Sequence, residues 1–281
     1  MKRIILSYLL LLSAFATSYA QDSLAVAQTD SLTPSDAAVS AVANKTSDNA
    51  AVGQAIKLYD EGDFRQAIDV LEGEMKAQKD KGLESADLYY NLGNAYFRVN
   101  DLAHARLYYE KAQLVNPGDR DTRHNIEYVT TKIEDKILVA DTFFLSIWFR
   151  AVQNLFSSNT WATMAVVFFV VFIGCLVLFF FSRLISLKKT AFYIGIVSLV
   201  VVIFANVFAF RQKNKVQFRD TAVIMAGSAS IVSSPDINSK ELFILHAGTK
   251  VAITKEDRNW YEIEIDNGSV GWVQKDKLEI I

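Results

Sequence analysis

Few side chains in this sequence have types and spacing that could perform chemistry. The histidines are His104, His124 and His246, far apart in the chain, and the one cysteine is Cys175. A single cysteine forms no intrachain disulfide and cannot build a cysteine-based zinc site. The sequence also lacks the serine nucleophile elbow, the metalloprotease helix motif, the phosphate loop and the dinucleotide fingerprint. We therefore predict a protein that is not an enzyme and that holds no metal ion or cofactor.

The remaining candidates for function are aromatic and cationic side chains on predicted helices. Residues 86–119 carry two successive stripes at helical spacing, and Asn100-Asp101 lies between them as a turn and helix cap. The stripes consist of Leu88, Leu92, Ala95 and Tyr96, and then of Leu102, Ala105, Tyr109 and Ala112. The spacing runs over Tyr89, Leu92, Gly93 and Tyr96, then over Ala105, Tyr109 and Ala112, followed by Pro117. This spacing resembles the 34-residue tetratricopeptide repeat, which folds as a helix hairpin.

A weaker copy of this pattern precedes residue 86, and a further helix follows the first copy. The weaker copy contains Tyr59, Gly62 and Ala67, and the later helix starts at Asp119. We predict an all-α tetratricopeptide-like domain over residues 53–140, with about five helices. Arrays of this kind usually need three or more units to bury their faces. A capping helix or a partner must therefore cover the open end.

The resemblance also implies a binding face. In the tetratricopeptide family, the first helix of each unit lines a concave groove. The residues at those positions are Tyr90, Asn94, Phe97 and Arg98, with Tyr59 from the weaker copy. Such a face suits an extended peptide or a partner helix. The alternative is that these aromatic side chains pack between neighbouring units.

Two apolar stretches point to a membrane. Residues 160–181 and 191–210 contain no charged side chain, and each is long enough to cross a hydrocarbon core of roughly 30 Å as a helix. Only helices or closed barrels satisfy their backbone groups in lipid, so we predict a two-helix transmembrane hairpin in an inner membrane. The link 182–190 is basic and has no acidic residue, and the positive-inside rule places such a loop in the cytoplasm.

The amino terminus predicts export. Lys2 and Arg3 precede an apolar run that ends near Ser18-Tyr19-Ala20, so residues 1–20 have the organisation of a secretory signal peptide. The alternative is an uncleaved signal anchor. Residues 21–52 contain no aromatic side chain and are rich in Ala, Ser, Thr and Asp, which predicts a disordered linker.

Export of the amino-terminal part places both soluble domains in the periplasm. One feature disagrees with this topology, because four basic residues flank the second span on its predicted outer side. They are Arg211, Lys213, Lys215 and Arg219.

Residues 141–158 have a different pattern. Phe144, Trp148 and Val152 belong to an apolar face that recurs every three to four residues, opposite Arg150 and Gln153. We predict an amphipathic helix that lies in the membrane interface, in contact with inner-membrane lipids.

The last segment, residues 217–281, changes to a period of two. Tyr261 and Ile263 alternate with glutamates, which is typical of a strand with one buried face. The positions of several turn and aromatic residues resemble bacterial SH3-like domains, which are small all-β barrels. These positions are Pro235, Gly248, Trp260, Gly268 and Trp272. Members of that family bind cell-wall peptides or other proteins. Trp272 is therefore a candidate for the ligand face, whereas we predict that Trp260 completes the core.

The order of these parts resembles the BatE family of Bacteroides aerotolerance proteins. The segments that carry the resemblance are 91–97, 108–112, 116–119 and 123–127. It implies an inner-membrane complex with envelope proteins that contain von Willebrand A-type and tetratricopeptide domains, and a link to oxidative-stress tolerance. The residues themselves predict a multidomain membrane protein with two binding modules, which acts as a scaffold. The alternative is a peptidoglycan-binding envelope sensor that acts through the SH3-like domain. The net charge of −2 predicts no binding to nucleic acid.

Overall fold

The computed structural model describes residues 50–137 and 144–281. The predicted signal peptide, residues 1–20, lies outside the described residues, and so does the predicted linker 21–52 except for its last three positions. Those three residues already belong to the first helix. The described residues all lie in one compact unit of the chain.

The elements follow the predicted order, with helices first and strands last. The helices are α1 (Ala50–Asp60), α2 (Phe64–Asp80), α3 (Ala86–Arg98), α4 (Leu102–Val115), α5 (Arg120–Lys132), α6 (Phe144–Gln153), α7 (Ser158–Phe181) and α8 (Ile185–Phe218). The strands are β1 (Thr221–Ile224), β2 (Ser228–Val232), β3 (Glu241–His246), β4 (Lys250–Asp257), β5 (Trp260–Glu264), β6 (Val270–Gln274) and β7 (Leu278–Ile280), with a 3₁₀ turn at Lys275–Lys277.

Helices α1 to α5 form the predicted repeat domain. Helix α1 packs on α2, α3 packs on α4, and α5 packs on α4. The same turn chemistry closes both hairpins. Gly62 and Asn100 adopt positive φ angles of 86° and 62°, and the aspartates that follow them, Asp63 and Asp101, accept a hydrogen bond from the first turn of the next helix. A left-handed residue followed by an N-cap is a compact way to reverse a helix.

The second hairpin is closely packed at Gly93. A Cβ atom at that position would lie 2.5 Å from Cδ1 of Tyr109, so the two helices approach each other as the sequence predicts. Leu92, Ala95 and Ala105 have no exposed surface. The small residues therefore let the Tyr109 ring fill the space between α3 and α4.

Helices α7 and α8 are long and apolar enough to cross a membrane. In the most apolar 18-residue stretch of each helix, 11% and 28%, respectively, is buried within the protein. They pack against each other through small side chains. A Cβ atom at Gly195 would lie 3.4 Å from Cβ of Cys175, and Ala191 and Ser198 are also buried. Small residues let two helix backbones approach closely in an apolar environment.

The connection between these helices is shorter than the predicted loop 182–190. Helix α8 begins at Ile185, so only three residues join it to α7. No glycine or proline interrupts residues 185–190, and the lysines there are compatible with a helix. Helix α8 has 34 residues. At about 1.5 Å per residue, its length is greater than the roughly 30 Å thickness of a hydrocarbon core. Its last turns therefore extend beyond the apolar layer toward the sheet.

The seven strands form one antiparallel sheet in the order β3-β2-β6-β5-β4-β1-β7. Gly268 adopts a φ of 85° in the turn that joins β5 and β6 as a hairpin. Ile231, Ile263 and Val273 are fully buried on the inner face of the sheet.

Candidate partner-binding surfaces

Two of the predicted groove residues are buried in a polar network. The hydroxyl of Tyr109 donates to Oδ1 of Asn94 at 2.6 Å, and Nδ2 of Asn125 donates to the same oxygen at 3.1 Å and to the hydroxyl of Tyr90 at 3.3 Å. Tyr90 is 1% exposed and Asn94 is 3% exposed. Burial raises the pKa of Tyr90 to about 12. Tyr90 and Asn94 therefore join α3, α4 and α5, and they do not present their side chains on the surface.

The other predicted groove residues lie at one end of this helix layer. Arg98 is exposed, and its guanidinium carbon lies 4.5 Å from the ring centroid of Phe64 and 5.7 Å from that of Tyr59. Tyr59 is buried beneath it. Phe97 is half-buried and meets the ring of Tyr128 edge to face at 5.6 Å.

These contacts define an accessible surface that we call the groove patch. It consists of Phe64, Phe97, Arg98, Tyr128 and Lys132, whose ammonium lies over the Tyr128 ring. Sequence reasoning did not identify Tyr128. The signal was present, since Tyr128 follows Asn94 by one 34-residue repeat length. A surface with aromatic faces and two exposed cations, Arg98 and Lys132, suits a partner segment with apolar and acidic side chains.

The sheet carries a second candidate surface. Trp272 lies opposite Glu262 on β5 and opposite Val232 on β2, on the face that points away from the core. Trp260 shares this face and is half-exposed, so it does not complete the core as predicted. The reason is the alternation of the strand, in which Tyr261 points inward and Trp260 therefore points outward.

The repeat domain and the sheet are joined by an apolar contact that the sequence did not reveal. Leu107 of α4 packs with Val223 of β1 and with Ile281, and all three are buried. Leu114 and Met225 border this cluster. Helix α4 therefore buries one side against α3 and another side against the sheet.

A buried ion network lies beside that contact. Nζ of Lys250 lies 2.7 Å from Oε2 of Glu110, and a terminal nitrogen of Arg106 lies 2.8 Å from Oε1. Burial alone would raise the pKa of Glu110, but the charges of Lys250 and Arg106 outweigh it and lower this pKa. The carboxylate of Glu110 is therefore bound by a cation from each domain, Arg106 of the repeat domain and Lys250 of the sheet.

Asp135, just beyond α5, forms a third contact with the sheet. Its carboxylate accepts hydrogen bonds from the backbone N–H of His246 at 2.7 Å and from the hydroxyl of Thr249 at 2.6 Å, and it lies 2.7 Å from Nδ1 of His246. Glu134 lies 3.4 Å from Nε2 of the same imidazole. The segment after the repeat helices is thus fixed to the β3–β4 turn.

This contact predicts that docking of the two domains depends on pH. The hydrogen bond to Asp135 raises the pKa of His246 above its ordinary 6.5. The pKa of Asp135 falls below 3.8, because its bonds to His246 and Thr249 outweigh the effect of burial. A raised histidine pKa contributes stability below pH 6.5 that is lost as the pH rises through the raised value, and a lowered carboxyl pKa contributes stability above pH 3.8. Docking is therefore expected to be tightest between about pH 4 and 6.5.

Hydrogen exchange of the backbone amides of Gly248 and Thr249 measures this docking, once rates are corrected for intrinsic exchange. We expect less protection at pH 8.5 than at pH 6 in the full-length protein. His246→Gln is expected to remove the difference, whereas His124→Gln, at an exposed position on α5, retains it. Equal protection at both pH values in the unaltered protein would refute the prediction.

These features define a class of protein, in which a helical repeat domain and a small β-sheet domain are docked together and joined through two candidate membrane helices. Comparison with protein families agrees. Residues 86–119 match the tetratricopeptide repeat model, and residues 229–279 match the bacterial SH3 domain model. The predicted tetratricopeptide repeat at residues 86–119 and the predicted SH3-like fold are thereby confirmed. No curated protein gives a significant match to the chain.

Proposed function

We propose that this protein is a non-catalytic adaptor of the inner membrane that assembles an envelope protein complex. Its repeat and SH3 domains would both lie in the periplasm, held at the membrane by the hairpin of α7 and α8. The observation that carries the proposal is the groove patch, because its aromatic and cationic side chains lie together at one end of the repeat helices and remain accessible. Tetratricopeptide and SH3 folds are interaction modules, which favours binding over catalysis.

The docked arrangement refines this role. Two independent modules on a flexible tether would bind separate partners, whereas the contacts at Leu107, Glu110 and Asp135 fix the groove patch relative to the SH3 surface. A partner therefore meets one preorganised surface of two parts. Preorganisation lowers the entropy cost of binding.

The resemblance to the BatE family supports a specific version of the proposal. In that version, the partners are envelope proteins with von Willebrand A-type and tetratricopeptide domains, and the complex contributes to aerotolerance. The groove patch is the surface through which such a partner would be held.

Site-specific photocrosslinking in native membranes tests the proposal. A photoreactive residue in place of Phe97 is expected to capture an envelope protein, and the same residue in place of Lys76, exposed on α2, is not. Arg98→Glu should reduce the yield at position 97 by about tenfold, which corresponds to loss of one desolvated cation contact. Lys76→Glu is the matched charge reversal and should leave the yield unchanged. A protein that captures nothing from position 97 would contradict the adaptor role.

The second candidate function is that of a cell-wall sensor. The observation that favours it is the pair of half-exposed tryptophans, Trp260 and Trp272, on the outer face of the sheet. Detergent-solubilised full-length protein that sediments with purified peptidoglycan, and fails to do so after Trp272→Ala, would favour this function over the adaptor.

A further inference from the structure

Three basic side chains gather where α6 packs against α8. Arg150 lies in the last turn of α6, and Arg211 and Lys215 lie one helical turn apart on α8. Lys250, Arg211 and Arg150 all repel the charge on Lys215, and Asp220 attracts it. The guanidinium of Arg211 lies over the ring of Phe149 at 5.4 Å. We call these three residues the basic cluster.

The packing around the basic cluster holds it in place. The rings of Phe149 and Phe208 lie 5.0 Å apart, and Nε2 of the buried Gln153 donates to Oε1 of Gln212 at 3.3 Å. The indole N–H of Trp161 donates to the carbonyl of Gln153 at 3.1 Å. The cations are thus brought together by a fixed junction of α6, α7 and α8.

The cluster has little compensating charge. Within residues 50–137 and 144–281, none of its three members forms an ion pair, and Asp220 is the acidic residue whose charge reaches Lys215. Nearby cations differ in this respect, since Lys250 is paired with Glu110, and Arg219 with Glu84. Three like charges that face the one carboxylate of Asp220 keep a net positive charge, and this favours a bound anion.

The position of the cluster identifies the kind of anion. Its residue Arg211 directly follows the apolar stretch of α8, which ends at Phe210. On α6, the large apolar side chains Phe144, Ile147 and Trp148 are 71%, 55% and 62% exposed. Aromatic side chains at the end of an apolar layer are typical of the headgroup region of a bilayer. The cations therefore lie beside a surface that suits lipid.

We propose that Arg150, Arg211 and Lys215 bind the phosphate group of an anionic phospholipid in the leaflet that contacts α6. This inference rests on the membrane location in the proposed function. The planar guanidinium groups of the two arginines match phosphate oxygens, and the ammonium of Lys215 adds a third charge. The apolar side chains of α6 favour an amphiphile over a soluble phosphate, since they contact acyl chains while the cations contact the headgroup.

The proposal also accounts for two of the four basic residues that disagree with the positive-inside rule, Arg211 and Lys215. Basic side chains on the outer side of a span weaken the orientation signal. A lipid-binding role explains why Arg211 and Lys215 lie next to the apolar stretch, whichever leaflet they face.

Native mass spectrometry of the full-length protein tests the site. The protein is reconstituted with a mixture of phosphatidylglycerol and phosphatidylcholine, extracted in mild detergent, and examined for retained lipid. We expect the unaltered protein to retain phosphatidylglycerol in preference to phosphatidylcholine. Each charge removed from the cluster is expected to weaken retention about fivefold, so the triple variant Arg150→Gln, Arg211→Gln, Lys215→Gln should lose it.

The matched control removes three charges from the opposite end of the hairpin, with Arg183→Gln, Lys188→Gln and Lys189→Gln, and should retain the lipid. If the triple variant of the cluster fails to fold, Arg150→Gln alone tests the site, because that side chain is exposed. Equal retention by both triple variants, or release of the lipid by millimolar inorganic phosphate, would overturn the proposal. A protein that reconstitutes into membranes and binds neither lipid selectively refutes the lipid site alone, whereas a protein that does not enter membranes refutes the proposed location.

Discussion

Glu110→Ala is expected to lower the free energy of unfolding by about 3 kcal/mol and to release the repeat domain from the sheet. The side chain of Glu110 is 8% exposed and that of Arg106 is 11% exposed. Removal of the carboxylate therefore leaves a buried guanidinium without its counter-ion, with hydrogen bonds to the carbonyl of Ile126 and the hydroxyl of Thr130. Loss of one partner of a buried pair costs about 3–5 kcal/mol. The lower end of that range applies here, because Lys250 is 35% exposed and regains water when it is released.

The measurement is hydrogen exchange of β1 and α4 amides in the full-length protein, together with its unfolding midpoint in denaturant. Glu127→Ala is the matched control, because Glu127 is an exposed glutamate on α5. The effect should also depend on pH. A carboxyl whose folded pKa is lowered stabilises the protein above its ordinary 4.5, and this contribution disappears as the pH falls through the lowered value. If Glu110→Ala behaves like the control at neutral pH, the ion network does not hold the domains together.

The hairpins and the candidate membrane helices could be predicted because their signals are local. The 34-residue spacing around Gly93 and Pro117 reports which positions on two neighbouring helices must be small or apolar. The apolar stretches of α7 and α8 need no partner to be recognised. In the sheet, the alternation around Ile263 gives the buried face, and the same rule applied to Trp260 would have placed it outside the core.

Docking of the domains could not be predicted, because it depends on pairs of residues far apart in the chain. Glu110 and Lys250 are separated by 140 positions, and each belongs to an element with a complete local pattern of its own. A weak signal existed in Leu107 and Leu114, which are seven residues apart and form a second apolar side of α4. Such a stripe indicates that something covers the helix without identifying what does.

The burial of Tyr90 and Asn94 has a similar origin. Family resemblance assigns them to a groove, but their exposure is decided by the next helix, whose Asn125 closes over both side chains. The groove predicted from five positions is therefore reduced to the end formed by Phe97 and Arg98. A partner must reach that end, which makes the integrity of α3 and α4 a condition for binding.

That integrity depends most on Gly93, and Gly93→Leu is expected to destabilise the repeat domain by about 3 kcal/mol or more. A Cβ atom there would lie 2.5 and 2.6 Å from two carbons of the Tyr109 ring. The ring cannot move away at low cost, because it is 2% exposed and its hydroxyl donates to Asn94. Overpacking of a core costs about 1–3 kcal/mol, and loss of the hydrogen bond adds about 1 kcal/mol.

Gly73→Leu is the matched control, since Gly73 lies on the exposed side of α2 with no atom within 4 Å of a Cβ. There the same substitution should raise stability by about 0.5–1 kcal/mol, because glycine is a poor helix former. The two variants are compared by hydrogen exchange of α3 and α4 amides and by the photocrosslinking yield from position 97. We expect exchange to accelerate and crosslinking to be lost for Gly93→Leu alone. Stability changes of the same sign in both variants would mean that the contact between Gly93 and Tyr109 does not limit the approach of the two helices. In that case, α5 would determine the shape of the accessible end of the groove.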